Sequence, residues 1–301
     1  MIIVTGTKRS GTSMWMQILK AAGLEPLGSA FPKDWGETIR EANPEGFYES
    51  IFRDGIYYRT NPNPKTGVFL FPAATKERSV KVFVPGVIRS DLAFIDKVIA
   101  TMRNWREYPG SVSRLYAMEQ SNRSKKRDYE LPEAAHVPPV LEWWAENHAL
   151  LSDVLTRRYP VHFVAYETVL TKPVETIEEV IGWLGIGDAT QAIAAVKPTL
   201  RTHEASTLEP PQGVSPAHAE VFDELYARVR DRRGLDEAFI DRLNAVNDEL
   251  APAVEAAAQK VAKARALRRK LLREAKAKRA AELGAGDRAD QKQRSSKRTA
   301  S

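Results

Sequence analysis

The hydrophobic pattern opens with a short apolar run, Ile2-Ile3-Val4. It is followed by Thr5-Gly6-Thr7-Lys8-Arg9-Ser10-Gly11-Thr12-Ser13 and then by Met14–Ala22, closed by Gly23. This order predicts a strand, a glycine loop and a helix that ends on a glycine. Further apolar runs at Val80–Val87, Val98–Met102 and Val161–Tyr166 predict strands apolar enough to lie in a sheet covered on both faces. Helical spacing runs from about Pro109 to Met118, from Pro139 to Arg158 and from Pro173 to Leu184, the last stopped by Gly185. Ser215-Pro216 supplies an N-cap and a first-turn proline for a helix to about Arg232. Residues 24–80 are irregular and rich in Pro, Gly and aromatics, and residues 121–138 predict a mobile surface loop.

Strands separated by helices predict an α/β fold of three layers with a mainly parallel sheet. From about Leu235 to Leu283 the chain is rich in Ala, Lys, Arg and Glu, which predicts a basic helical C-terminal extension. Its apolar seam is thin (Val254, Val261, Leu267, Leu271), and Pro252 is expected to kink or break it. The expected division is a domain over residues 1–235, the helical extension over 236–283 and a disordered tail over 284–301. No internal repeat is visible.

Composition narrows the class. At 301 residues, 43% hydrophobic and 28% charged, the chain is neither collagen-like, mucin-like nor wholly disordered. It has no Cys, which excludes disulfides and thiolate chemistry. Of 45 Lys/Arg and 39 Asp/Glu, 15 and 4 fall in residues 260–301, so a mildly acidic body carries a strongly basic tail. Such a tail attracts polyanions weakly and nonspecifically, or keeps a solvated helix soluble. The sequence has no apolar run of about 18 residues, and its first residues lack the basic and apolar regions of a secretory signal. A soluble, cytoplasmic protein is the expectation.

The loop carries the first candidate chemistry. Gly6-x4-Gly11-Thr12-Ser13 nearly fits the phosphate-binding P-loop pattern GxxxxGK[ST]. Small residues let the backbone wrap an anion, and N–H groups at a helix N-terminus donate to it. The hydroxyls of Ser10, Thr12 and Ser13 add to that cradle. Thr12 stands where the lysine that reaches a nucleoside triphosphate would be, and the cations sit earlier, at Lys8 and Arg9. The strand-end Glu167 is the nearest weak candidate for a metal carboxylate, so the reading assigns no metal.

Here the sequence resembles a known family. Lys8-Arg9-Ser10-Gly11-Thr12-Ser13 is similar to the 5′-phosphosulfate loop of sulfotransferases that use 3′-phosphoadenosine-5′-phosphosulfate (PAPS), with Arg9 on the family's loop cation. The family also carries an apolar strand ending in Arg, with a Ser eight residues later, and both grip the 3′-phosphate. Here Val98–Met102 leads to Arg103, and Ser111 lies eight positions on. Phe163-Val164-Ala165-Tyr166-Glu167, then Pro173 and Trp183-Leu184-Gly185, matches a third family segment. The matches span residues 1–187 in order. The resemblance implies a P-loop NTPase-like topology and a sulfotransferase-like domain over residues 1–235. It implies PAPS as cosubstrate, held by Lys8, Arg9, Ser10, Gly11, Thr12, Ser13, Arg103 and Ser111. Two features depart from the family. Met14 stands where some members stack an aromatic on adenine, with Trp15 one residue later. The Arg-Lys-Gly segment that completes the 3′-phosphate site is missing, with Lys197 and Arg201 as substitutes.

Sulfuryl transfer to a hydroxyl or amine needs in-line positioning, charge stabilisation and a base. Arg9 would neutralise charge on the leaving phosphate. For the base, Asn43-Pro44-Glu45-Gly46-Phe47-Tyr48-Glu49 resembles a stretch of bacterial members. Glu49 is the first choice, Glu45 the second and Glu37 the third, whereas His136 falls in the loop. A carboxylate among Phe47, Tyr48 and Phe52 is expected to have a raised pKa, which suits a base. Lys81 either faces the same sheet edge or points to solvent. Nine aromatics in residues 24–75, Phe31, Trp35 and Tyr57 among them, line an acceptor pocket or fill core. Trp143 and Trp144 are expected in the core. The acceptor and the oligomeric state are not legible. Two other readings stay open: a small-molecule kinase using Mg-ATP, and a non-catalytic nucleotide-binding protein that acts through its tail.

Overall fold

The computed structural model describes residues 1–31, 43, 45–125, 132–196 and 214–298, with backbone alone for 122–125, 276 and 281–298. Five strands form one sheet: β1 (Ile2–Gly6), β2 (Glu25–Pro26), β3 (Arg78–Lys81), β4 (Lys97–Met102) and β5 (Val161–Ala165). Their order is β2-β3-β1-β4-β5 and every pairing is parallel, with Ile3 opposite Val80 on one side and Val98 on the other. The α/β class and mainly parallel sheet read from the sequence are what the chain adopts.

Both sheet faces are covered, which explains why the strands are apolar throughout rather than alternating. Ile2 and Val4 pack with Trp15, Ile18 and Leu19 of α1 (Thr12–Ala21) and with Ile177 and Val180 of α6 (Pro173–Leu184). Ile3 points the other way, into a cluster with Val80, Val98 and Leu150 of α4 (Pro139–Arg157). The ends of α6 follow from its sequence. Pro173 opens it, and Gly185, at φ +69°, donates its N–H to the Ile181 carbonyl at 3.0 Å. The short α5 (Tyr166–Thr171) precedes α6, and α7 (Ala189–Ala194) follows it.

Three sequence expectations change. The run Val80–Val87 is not one strand. It leaves the sheet after Lys81 and turns into α2 (Val84–Arg89), with Pro85 in the first turn. β-branched composition suggested a strand, whereas the backbone turns helical with Gly86 packed closely against Gly55. A Cβ on Gly55 would lie 2.5 Å from the Gly86 carbonyl oxygen. Next, α3 runs over Tyr108–Lys125, so the first residues of the loop expected at 121–138 are helical.

The third change concerns the C-terminus. α8 (Pro216–Arg230) starts at its Ser215 cap, which accepts from the His218 N–H at 3.1 Å. The final helix, α9, spans Glu237–Arg298 and continues through Pro252 without a break. Residues 284–298, expected to be disordered, therefore belong to this helix, and 299–301 lie outside the described residues. Its first turns are core. Phe239, Leu243 and Val246 are buried with Trp143, Trp144 and Phe222. Arg228 of α8 lies 4.3 Å over the Phe239 ring, and His218 meets Glu249 at 2.7 Å.

If the root of α9 is part of the body, Phe239→Ala should lower unfolding stability by about 3–5 kcal/mol in a urea titration. A loss below about 1 kcal/mol would show a helix that merely rests on the surface.

Candidate functional site

The site begins where β1 ends. Gly6 has φ +146°, and a Cβ there would lie 2.3 Å from the Thr101 carbonyl oxygen on β4, so the turn admits no side chain. Ser10 is fully buried. Its Oγ donates to the Thr7 carbonyl at 2.6 Å and lies 2.7 Å from Thr101 Oγ1. The hydroxyl expected in the anion cradle thus faces the sheet and holds the loop's shape. Arg9 is left-handed at φ +62°. Gly11, at φ +97°, passes so close to Tyr166 that a Cβ would lie 2.6 Å from the ring. No side chain caps α1, so the N–H groups of its first turn are left to solvent or a ligand.

Beside this loop the fold gathers cations. Arg103, at the end of β4, is buried and donates from Nη1 to Ser111 Oγ at 3.1 Å and to the Arg9 carbonyl at 3.3 Å. Its Nη2 meets Glu107 at 3.0 Å, and its guanidinium lies 5.0 Å over the Tyr166 ring. Its Nε is buried and has no partner among the described residues. Arg9 Nε reaches the same Ser111 Oγ at 3.4 Å. Burial, followed by the charges of Arg103 and Arg114, lowers the Arg9 pKa. Arg9, Arg103 and Ser111, read separately in the sequence, therefore form one cluster, in which two guanidiniums share the Ser111 hydroxyl.

Lys8 does not join it. Its Nζ pairs with Glu142 Oε1 at 2.6 Å and donates to the Tyr116 hydroxyl at 2.9 Å. Burial opposes its charge, but Glu142 and Tyr116 outweigh that and raise its pKa. Glu142 also accepts from the Tyr108 hydroxyl at 3.0 Å, and His136 stacks on Tyr116 at 3.5 Å between ring centres. One helical turn along α4, half-buried Glu146 is pushed up to about 8 by burial and by Glu142. Glu167 accepts a hydrogen bond from the Tyr226 hydroxyl and is committed to packing α8 onto the sheet edge.

On the opposite side of the loop lies a second cluster. Glu49 and Lys81 are both buried, with Oε1 and Nζ 3.2 Å apart, and Arg53 meets Glu49 Oε2 at 3.1 Å. Lys81 also donates to Ser13 Oγ at 3.3 Å, which ties this cluster to the first turn of α1. Burial lowers the Lys81 pKa against the opposing pull of Glu49. Glu49 is thus held between two cations, which the expectation of a carboxylate half surrounded by Phe47, Tyr48 and Phe52 did not include. Glu45 sits on the Asn43–Gly46 turn and, after burial itself, helps raise the Tyr48 hydroxyl's pKa.

The expected pocket aromatics divide. Phe47 and Tyr48 are buried, whereas Tyr58, Phe69 and Phe71 are exposed. Trp15 is buried in the core with Ile18, away from any adenine role. Trp35, Glu37, Lys197 and Arg201 lie outside the described residues. The residues that sequence reasoning missed are Glu107, Arg114, Tyr166 and Glu142. Two carried a signal, since Glu107 and Arg114 follow Arg103 and Ser111 by four and three positions.

No protein-family model matches the chain, and no curated protein matches it. Among solved structures, it is similar to a sulfotransferase domain from the curacin biosynthetic pathway, at 12% identity and TM-score 0.41. That match covers 74% of this chain and 96% of the other. It is also similar to a sulfotransferase domain from the Synechococcus PCC 7002 olefin synthase, at 13% identity and TM-score 0.35, covering 83% and 94%.

Glu146 generates a stability prediction. A carboxyl that keeps its proton to about pH 8 when folded, but loses it near 4.5 when unfolded, favours unfolding as pH rises between those values. Stability should fall across that window by at most about 1.4 kcal/mol per pH unit. Glu146→Gln should flatten the slope in denaturant titrations from pH 5 to 8. An unchanged slope would place the proton elsewhere.

Proposed function

We propose that this chain transfers a sulfuryl group from PAPS to a hydroxyl or amine acceptor. The observation that carries the reading is the meeting of Arg9, Arg103 and Ser111 beside an uncapped glycine loop. The residues fit the donor. A buried Arg103 Nε without a partner, and a loop whose Gly6 and Gly11 leave no room for side chains, suit close approach of an anionic group. When bound, PAPS supplies an activated sulfuryl group on a phosphate leaving group.

The chain's own residues divide the work. Backbone N–H groups at Gly11–Ser13 and the Arg9 guanidinium take the 5′ anion and stabilise charge on the leaving oxygen. A cation in that role is worth about 3 kcal/mol of barrier, by analogy with oxyanion donors. Arg103 and Ser111 take the 3′-phosphate through charge-assisted hydrogen bonds. Across the loop, Glu49 accepts the acceptor's proton at a carboxylate oxygen. Lys81 and Arg53 orient that carboxylate, and Lys81 adds positive charge next to Ser13. Transfer is chiefly positioning and electrostatics, and no metal is assigned a part.

Adenosine 3′,5′-bisphosphate without metal should raise the Tm, while Mg-ATP should not. At a hundred times its Kd, the ligand adds about 2.7 kcal/mol. A shift with Mg-ATP alone would favour a kinase. Ser111→Ala and Arg103→Ala should weaken the bisphosphate by roughly 10- to 100-fold while sparing adenosine 5′-phosphate. Equal losses for both ligands would remove the 3′-phosphate assignment.

Glu49→Gln tests the base. It should leave bisphosphate affinity within about twofold and cut turnover by at least about 100-fold. Undiminished turnover would move the base to another residue. Nucleotide binding without turnover in the parent chain would favour the non-catalytic reading.

A further inference from the structure

Two surface features lie outside the nucleotide site and are unexplained by it. The first is a finger after Gly55. Asn61 bridges its two sides, donating from Nδ2 to the Leu70 carbonyl and accepting the Leu70 N–H at Oδ1, both at 2.8 Å. The Asn63 N–H closes on the Val68 carbonyl at 2.8 Å. This finger holds its apolar side chains out to solvent: Tyr58 is 76% exposed, Val68 67%, Phe71 64% and Phe69 45%. Phe69 and Phe71 stack edge to face at 4.9 Å, so they form a patch rather than scattered residues. Residues 57–76 contain Arg59, Lys65 and Lys76 and no Asp or Glu. Arg59 lies over the Tyr58 ring at 5.5 Å.

The second feature is the basic stretch of α9. Residues 255–280 hold ten Lys/Arg against two Glu, with Leu267 exposed among them. The finger and the part of α9 just before its basic stretch both lie beside the short element α2. Arg89 of α2 lies over the Tyr57 ring at 5.7 Å, and Ile88 of α2 lines a groove with Asn247, Ala251 and Val254 of α9.

We propose that the finger and the basic helix together dock this protein on an anionic lipid bilayer. Amphipathic aromatic rings settle at the headgroup level, and flanking Lys and Arg meet lipid phosphates. Two observations favour a bilayer over nucleic acid. Aliphatic Val68 stands exposed beside the Asn63–Gly67 turn of the finger, and residues 240–301 contain no aromatic on which bases would stack. The finger's charge balance, with cations and no acids, complements anionic lipid. The inference goes beyond the nucleotide reading and does not depend on it.

Flotation of the full chain with phosphatidylcholine–phosphatidylglycerol vesicles, beside phosphatidylcholine alone, tests it. The protein should float with the anionic vesicles only. The triple variant Tyr58→Ser/Phe69→Ser/Phe71→Ser, with its thermal unfolding checked, should lose at least about tenfold in partition. Should that variant not fold, Arg59→Glu/Lys65→Glu on the same finger should lower binding to anionic vesicles at low salt. Finger variants that bind as the parent does would overturn the proposal, as would a parent that floats with neither vesicle. Tight RNA binding without flotation, or a dimer that the finger variants convert to monomer without flotation, would overturn it in favour of those partners. An unaltered bisphosphate Tm shift in the finger variants keeps this result separate from the nucleotide assignment.

Discussion

At the C-terminal edge of the sheet, β1 and β4 approach so closely that only a glycine fits at position 6, where a Cβ would sit 2.3 Å from the Thr101 carbonyl. That contact fixes where the loop turns back, and the buried Ser10 hydroxyl, held by Thr7 and Thr101, fixes its shape. Arg9 then takes a left-handed conformation and presents its carbonyl to Arg103. Gly11 tucks against Tyr166, and α1 begins without a side-chain cap. The turn of the loop rests on this one approach, which admits no side chain at Gly6.

The charges around the loop are sorted by the acids that reach them. Lys8 is drawn to Glu142 on α4, and Lys81 to Glu49. Arg9, in contrast, is depressed by burial and by Arg103 and Arg114. Holding guanidiniums near one another is electrostatically unfavourable for the protein alone, and a bound anion relieves it. The cluster at Ser111 and the Glu49 cluster lie on opposite sides of the loop, an arrangement that suits a donor on one side and an acceptor on the other.

The C-terminal helix serves two physical roles along its length. Its first turns bury Phe239, Leu243 and Val246 with Trp143 and Phe222, so they complete the core. Between Val261 and Ala280 its described side chains are mostly exposed, and the sequence there is strongly basic. One continuous helix thus joins the core to the part of the surface most attractive to anions.

Local signals carried far in this chain. Apolar runs bounded by glycine and proline marked β1, β4, β5, α1 and α6, because strand and helix formation answer to short-range periodicity and to caps such as Gly185. The spacing of Arg103 and Ser111 was legible for the same reason, since a strand end and the next helix turn lie close in sequence. Other features were set only by the folded chain. Val84–Arg89 is a helix whose Gly86 meets Gly55, and Ser10 turns inward onto Thr101, neither contact being readable along the chain. Lys8 left the loop for an acid 134 residues away, and Glu49 met Lys81 and Arg53 instead of an apolar wall. Sequence alone therefore determined the elements and the residue types at the loop. Tertiary structure decided which charge meets which, because Coulomb pairing and close packing depend on distances in space that spacing along the chain does not encode.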